Sequence, residues 1–292
     1  MAADRLGGDR AGADVSDQSH IEWTEATWNP VVGCSRVSAG CDHCYAIRMT
    51  GRLQAMGIAG YEGLVADGDW TGEVRCLPER LDVPRHWRKP RRIFVNSMSD
   101  LFHPGVPTSF IEQVWDVMAS TPQHTYQILT KRPARMAAIF GDDSSREPLP
   151  NVWLGTSVEA EYQQWRIDKL RDTVAAVRFV SLEPLLSAIP DLNLDGIGWV
   201  IAGGESGPGA RRMSVEWAQE IRDQCVAAGV PFFFKQWGEW VHVDQMPEVE
   251  LVHLDAAVNL GSDPREYWRV GKRRAGRLLD ERTWDEMPEF LT

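Results

Sequence analysis

Between residues 92 and 236 the chain repeats one pattern. A short run of apolar, β-branched or aromatic residues comes first, then a polar step, and in several cases a longer stretch with apolar positions at helical spacing. The short runs are residues 92–96 (RIFVN), 125–129 (TYQIL), 152–155 (VWLG), 178–181 (RFVS), 199–202 (WVIA) and 231–234 (PFFF). Continuous hydrophobicity over so short a length is what a strand buried on both faces requires. Of the intervening stretches, residues 109–120 place Ile111, Val114, Trp115 and Met118 on one helical face, and Ser109 with Glu112 has the form of a capping box. Residues 214–229 repeat the logic: Ser214 as N-cap, Trp217, Ile221 and Cys225 on one face, and Gly229 as terminator. Residues 160–175 are a third helix candidate.

Strands alternating with helices imply right-handed crossovers and a parallel sheet. With a first strand over residues 21–27, about seven strands are expected, which fits an α/β fold of the partial or complete parallel β/α (TIM-like) barrel type. A doubly wound open sheet is the alternative. The link over 185–198 is short for a parallel crossover and contains Pro190, so it has room for little helix.

The two ends read differently. Residues 1–19, rich in Gly, Ala, Asp and Ser, are expected to be a flexible N-terminal tail. The barrel is assigned to residues 20–245 and a small C-terminal appendage to 246–292. Within the appendage, residues 268–279 (WRVGKRRAGRLL) suggest two short strands around a glycine turn.

Composition narrows the setting. No apolar run is long enough to span a bilayer, and the N-terminal residues lack the basic-then-apolar order of an export signal, so a cytoplasmic protein with no membrane partner is expected. With 31 Lys and Arg against 42 Asp and Glu, the formal charge is −11, which repels polyanions. A nucleic acid or nucleotide partner would need a local basic patch. Two runs qualify: Arg85, His86, Arg88, Lys89, Arg91 and Arg92, and Lys272, Arg273, Arg274 and Arg277.

The candidate chemistry lies in the cysteines. Five cysteines without an export signal argue for metal or catalytic thiols rather than disulfides. Cys34, Cys41 and Cys44 cluster on one short stretch, while Cys76 and Cys225 stand alone and are assigned to packing. Three thiolates can meet at one centre if Gly33 and Gly40 permit sharp turns. The spacing alone leaves three readings open: a 4Fe–4S cluster with one iron left open, a zinc site completed by His43 or His20, or three unrelated buried thiols.

The passage TWNPVVGCSRVSAGCDHCYA resembles the radical S-adenosylmethionine superfamily. Within it, the passage is most similar to a phage-associated three-cysteine family of uncertain function, marked by WNP..GC followed by GC..CYA. The likeness extends over most of residues 21–290 and includes the ending VGKRRAGRLLDERTWDEMP. It departs from the superfamily in its first spacer, six residues where three are usual, and in His43, which stands where an aromatic residue is usual. The resemblance implies a 4Fe–4S cluster on Cys34, Cys41 and Cys44, S-adenosylmethionine at the open iron, an external electron donor and radical chemistry on a substrate. That substrate is not legible, with a nucleic acid or nucleotide and a protein partner as candidates.

Nearly every expected strand runs into polar residues, and ligands of β/α folds collect at such C-terminal strand ends. By the resemblance, Ser97, Ser99 and Asp100 would meet the methionine ammonium. Lys131 or Arg132 would take the carboxylate, and Ser157, Glu159 or Glu183 the ribose. Glu205, Arg211, Arg212, Lys235 and Trp237 are candidates for the substrate side. The run GGESGPGARR (203–212) lacks the Gly-Lys-Ser/Thr ending of a P-loop and reads as a mobile substrate-side loop. At each of these positions a helix cap or strand-end ion pair competes with ligand binding. Glu183, Glu205 and Lys235 are favoured because a charge directly after a buried strand is costly without a partner. Two other functions compete: a zinc-stabilised nucleic-acid-binding protein without radical chemistry, and a barrel hydrolase using Glu183 and Glu205 as acid and base.

Overall fold

A computed structural model of the protein describes residue 19 and residues 21–141, 147–245 and 266–289. Most of the expected N-terminal tail, His20 and residues 246–265 of the expected appendage lie outside the described residues.

One sheet organises the chain. It contains β1 (Ala26–Trp28), β2 (Arg92–Val95), β3 (Thr125–Thr130), β4 (Val152–Ser157), β5 (Val177–Leu182), β6 (Trp199–Gly203) and β7 (Phe232–Gln236), arranged in chain order. Every neighbouring pair is parallel. A doubly wound sheet reverses its strand order at a switch point. The unbroken order here excludes that alternative: right-handed crossovers all fall on one side, and the sheet curls around its other face as in a β/α barrel. β1 and β7 do not pair, so the barrel is open.

Among the described residues the helices are α1 (Tyr45–Ala55), α2 (Thr108–Ser120), α3 (Pro133–Phe140), α4 (Trp165–Arg171), α5 (Val215–Ala228) and a short α6 (Lys272–Ala275). No helix forms between β5 and β6, as the short Pro-containing link predicts. Several details differ from expectation. Residues 21–24 make a turn, closed by the Thr24 N–H donating to the Ile21 carbonyl, so β1 is shorter than expected. The helix expected over 160–175 is a 3-10 turn, Glu161–Gln163, followed by α4. α2 starts at Thr108 after Pro107, whose carbonyl accepts from Phe110 and Ile111, so Ser109 and Glu112 form no capping box. α5 does follow Ser214 and ends at left-handed Gly229 (φ 66°). The strands expected within 268–279 belong to separate ladders: Tyr267–Arg269 pairs with Trp240–His242, and Leu278–Leu279 pairs with Arg282–Thr283.

The apolar runs are continuous because the two strand faces meet two different cores. Outward residues such as Val95, Ile128, Leu154, Val180, Val200 and Phe234 join the helices in the main core. Inward residues Trp153, Phe179, Trp199, Ile201 and Phe233 join Trp23 to fill the barrel floor. Trp199 meets Trp23, Trp153 and Phe233 edge to face, with ring centroids 5.9–6.1 Å apart. Such pairs add about 0.5–1.5 kcal/mol each beyond area burial.

Inward positions turn polar towards the C-terminal ends of the strands. Ser157, Ser181 and Lys235 stand above this floor and line the barrel cavity. The gap between β1 and β7 is spanned by an ion pair between Lys272 of α6 and Glu22, at 2.9 Å, while residues 284–286 hydrogen-bond along the free edge of β7. No helix among the described residues is long and apolar enough to cross a membrane.

Candidate active site

The loop after β1 carries the three clustered cysteines, and the sequence gives it two special backbone points. Gly33 has φ 84°, as the expected turn requires. Gly40 instead has an ordinary φ and is needed for room: a Cβ there would lie 2.5 Å from Glu159 Oε1. Glycine thus lets the cysteine loop lie directly on a carboxylate delivered by the end of β4.

Three strand ends grip the loop. From β3, Arg132 donates to Asp100 Oδ2 at 2.8 Å, to the Ser35 carbonyl at 3.0 Å, to Ser35 Oγ at 2.9 Å and towards Cys34 Sγ at 3.9 Å. Asp100 is itself fixed by the Thr130 hydroxyl at 2.7 Å and the Lys131 N–H at 3.3 Å. From β4, Glu159 is 0% exposed and accepts from Ser38 Oγ at 2.8 Å, from Arg166 Nη1 at 2.9 Å and from Lys131 Nζ. Burial pushes the Glu159 carboxyl up, but Lys131, Arg166 and Ser38 outweigh it and hold the group below the usual carboxylate range. From β6, Glu205 takes Arg211 in a two-pronged pair at 2.7 and 2.9 Å, and Arg211 donates to the Ala39 carbonyl at 2.7 Å.

Of these anchors, Asp100, Lys131, Arg132 and Glu205 line one cavity of about 450 Å³ at the C-terminal mouth of the barrel, and Glu159 and Arg211 do not. Cys34, Cys41 and Cys44 line it, as do Ser97, Ser99, Asp100, Lys131, Ser157, Glu183, Glu205 and Lys235. Its lower wall is apolar, with Trp23, Phe94 and Leu129. Burial, helped by Asp100, pushes the Cys34 thiol up to about 12 against the opposing Arg132, and burial raises Cys44 as well. Such thiols keep their protons until a metal displaces them, since coordination deprotonates a thiol.

Several expected residues have other work. Lys131 is ion-paired with Glu159, which also takes Arg166, and Asp100 with Arg132, so each has a protein partner as a loop anchor. Ser99 Oγ donates to the Val31 carbonyl at 2.7 Å, and Ser97 Oγ to Asn29 Oδ1 at 3.2 Å. Arg211 is committed to Glu205, and Arg212 lies 5.7 Å over the Trp240 ring and 5.4 Å over Tyr267, off the cavity wall. Trp237, 1% exposed, turns into the core and donates to the Leu278 carbonyl, because its indole has an apolar berth there. At the start of the run over 203–212 the backbone is closely packed, since a side chain at Gly204 would overlap the Trp237 carbonyl. Lys272 of the second basic run also lines the cavity, as do Asn96, Thr130, Ser181, Ser206 and Gln236, which had not been singled out. Their only sequence signal was their place just after an apolar run.

The same geometry bears on the competing functions. Among the described residues no three His, Cys, Asp or Glu side chains are gathered closely enough to hold a single metal ion, and His20 lies outside them. Glu205 is held in a two-pronged pair by Arg211, so one member of the expected Glu183 and Glu205 acid–base pair is already engaged. The basic runs are partly neutralised, through Arg85–Asp82, Arg92–Glu25, Lys272–Glu22 and Arg277–Asp285.

Fold and site together define an open parallel β/α barrel with a three-cysteine loop clamped over its C-terminal mouth. The chain belongs to the family described as protein of unknown function (DUF5131), whose model matches residues 18–288. No curated protein matches it. Among solved structures it is similar to a spore photoproduct lyase complexed with dinucleoside spore photoproduct, at 11% identity and TM-score 0.43, over 74% of this chain and 65% of that one. It is also similar to a cysteine-to-serine mutant of spore photoproduct lyase, at 11% identity and TM-score 0.44, over 88% of this chain and 71% of that one. The chain thus spans about 65% of the length of the first of these structures.

Proposed function

We propose that the protein is a radical S-adenosylmethionine-type enzyme whose Cys34, Cys41 and Cys44 hold a 4Fe–4S cluster. One observation carries the reading: the three thiols of one loop and the polar ends of the barrel strands line the same cavity. Thiolates are the soft donors that suit iron–sulfur centres, and three of them leave a metal corner free. When bound, the cluster would supply the electron that reductively cleaves S-adenosylmethionine to a 5′-deoxyadenosyl radical, the hard chemistry being the cofactor's own.

The protein's part is placement and water exclusion. Arg132, Glu159 and Arg211 hold the loop in register with the barrel. Ser157, Glu183 and Lys235 remain as polar groups for ligands. The Lys235–Glu183 pair, 3.2 Å apart, can exchange its internal partner for a ligand's. A ligand bearing both an anionic group and a hydroxyl or ammonium replaces like with like there, so little desolvation is lost. Trp23, Phe94 and Leu129 keep the lower end dry.

An external electron donor is required. The net charge of −11 favours a small or partner-delivered substrate, a nucleotide included, over a long polyanion. Anaerobic metal analysis tests the reading: iron and acid-labile sulfide in equal amounts are expected. A colourless protein with stoichiometric zinc would overturn it.

A further inference from the structure

We propose that Arg132 is a positioning residue that sets the reduction potential of the centre held by Cys34, rather than a ligand for substrate or cofactor carboxylate. This rests on the function proposed above and goes one step further, to how the chain tunes the centre.

Both terminal nitrogens of the guanidinium already have protein partners. Nη2 is spent on the Ser35 carbonyl and hydroxyl at 3.0 and 2.9 Å, and Nη1 on Asp100 at 2.8 Å. Asp100 is in turn fixed by Thr130 and the Lys131 N–H. Both side chains are largely buried, at 13% and 7% exposure. What remains is the Nη1 contact to Cys34 Sγ at 3.9 Å.

A cation and N–H donor fixed beside a ligating sulfur draws charge from it. Such hydrogen bonding is one of the levers by which a protein sets the potential of an iron–sulfur centre. Reduction adds negative charge, so the fixed guanidinium favours the reduced state and moves the potential in the positive direction, against the opposing charge of its partner Asp100.

Ser35 adds to the same field. The Gly105 N–H donates to His103 Nδ1 at 3.1 Å, which places the imidazole proton on Nε2, facing Ser35 Oγ at 2.8 Å. Ser35 Oγ therefore accepts from both His103 and Arg132. Its own hydrogen is left for an acceptor in the cavity it lines.

The test reconstitutes the full chain anaerobically as wild type, Arg132→Gln and Arg132→Lys. Iron and sulfide are measured per chain, and the midpoint potential is taken by titration with visible absorbance. The expected result is a full complement of iron and sulfide with a more negative potential in Arg132→Gln, and an intermediate potential in Arg132→Lys. An Arg132→Gln protein with full iron and an unchanged or more positive potential overturns the proposal. Should Arg132→Gln alone lose its iron, Arg132→Lys decides: a potential below wild type supports the proposal, and an equal one overturns it. Loss of iron from both variants overturns it in favour of a purely structural clamp. A wild-type chain that takes up neither iron nor sulfide fails the proposed function itself, a different outcome from any of these.

Discussion

The Ser38 hydroxyl donates a 2.8 Å hydrogen bond to Glu159 across 121 positions of the chain. That contact joins the cysteine loop after the first barrel strand to a buried carboxylate after the fourth. Glu159 is in turn paired with Lys131 and Arg166, so a charged network in the barrel wall fixes where the thiols sit.

Removing the charge at its centre should be costly. Glu159→Gln leaves Arg166, 3% exposed, and Lys131 without their counter-charge. Breaking a buried pair by deleting one partner costs about 3–5 kcal/mol. Urea unfolding should report a loss of that order together with reduced iron uptake. A change within about 0.5 kcal/mol, the range of a neutral surface substitution, would mean the network does not hold the loop.

The same carboxylate predicts a pH dependence. Although burial alone raises it, the net effect of Lys131, Arg166 and Ser38 is to lower its pKa in the folded state. A depressed carboxyl binds fewer protons folded than unfolded, so its contribution is complete above the unfolded value and is lost as pH falls through the folded one. The stability difference between wild type and Glu159→Gln should be constant around neutrality and shrink once the pH drops below about 4.3, the ordinary value for Glu. A difference that grows on acidification would reverse the assigned sign.

Gly40→Ala isolates the fit between loop and barrel. The added Cβ would meet the Glu159 carboxylate at 2.5–2.8 Å, and both groups are tethered. Overpacking of this kind costs about 1–3 kcal/mol. Circular dichroism should remain that of the wild type while iron content falls, and full iron content would show that the close approach is dispensable.

Among the cysteines the structure predicts a clean division. Serine at position 34, 41 or 44 should each abolish the iron–sulfur absorbance. Cys225→Ala should keep it, since Cys225 is buried in the main core, and lose about 0.5–3 kcal/mol of stability as ordinary core truncations do. Cys76, packed against the same core, should also be dispensable for iron. A colour change in either of the last two variants would move the ligand set.

Much of this was legible in the sequence, for a physical reason. Strands buried between outer helices and an aromatic floor read as unbroken apolar runs, and their C-terminal ends had to be polar because the mouth opens there. α1 and α3 were not legible. α1 exposes Tyr45, Met49 and Arg52 among its buried positions, and α3 begins at a proline directly after a strand end. The roles of Asp100, Glu159 and Arg211 were hidden for another reason. A carboxylate after a buried strand signals that it has a partner, but whether that partner is a ligand or an arginine across the barrel depends on contacts far apart in sequence. Trp237 shows the same limit, since an indole after a strand serves a base or a core equally well until its neighbours are placed.

Under the proposed function, the three thiols and the strand-end groups serve one reaction. The most direct measurement is release of 5′-deoxyadenosine from S-adenosylmethionine when the anaerobically reconstituted protein is reduced with dithionite. Release that needs reductant, and is lost in the Cys34→Ser, Cys41→Ser and Cys44→Ser variants, is the predicted result. An iron-loaded wild type that leaves S-adenosylmethionine intact would contradict it.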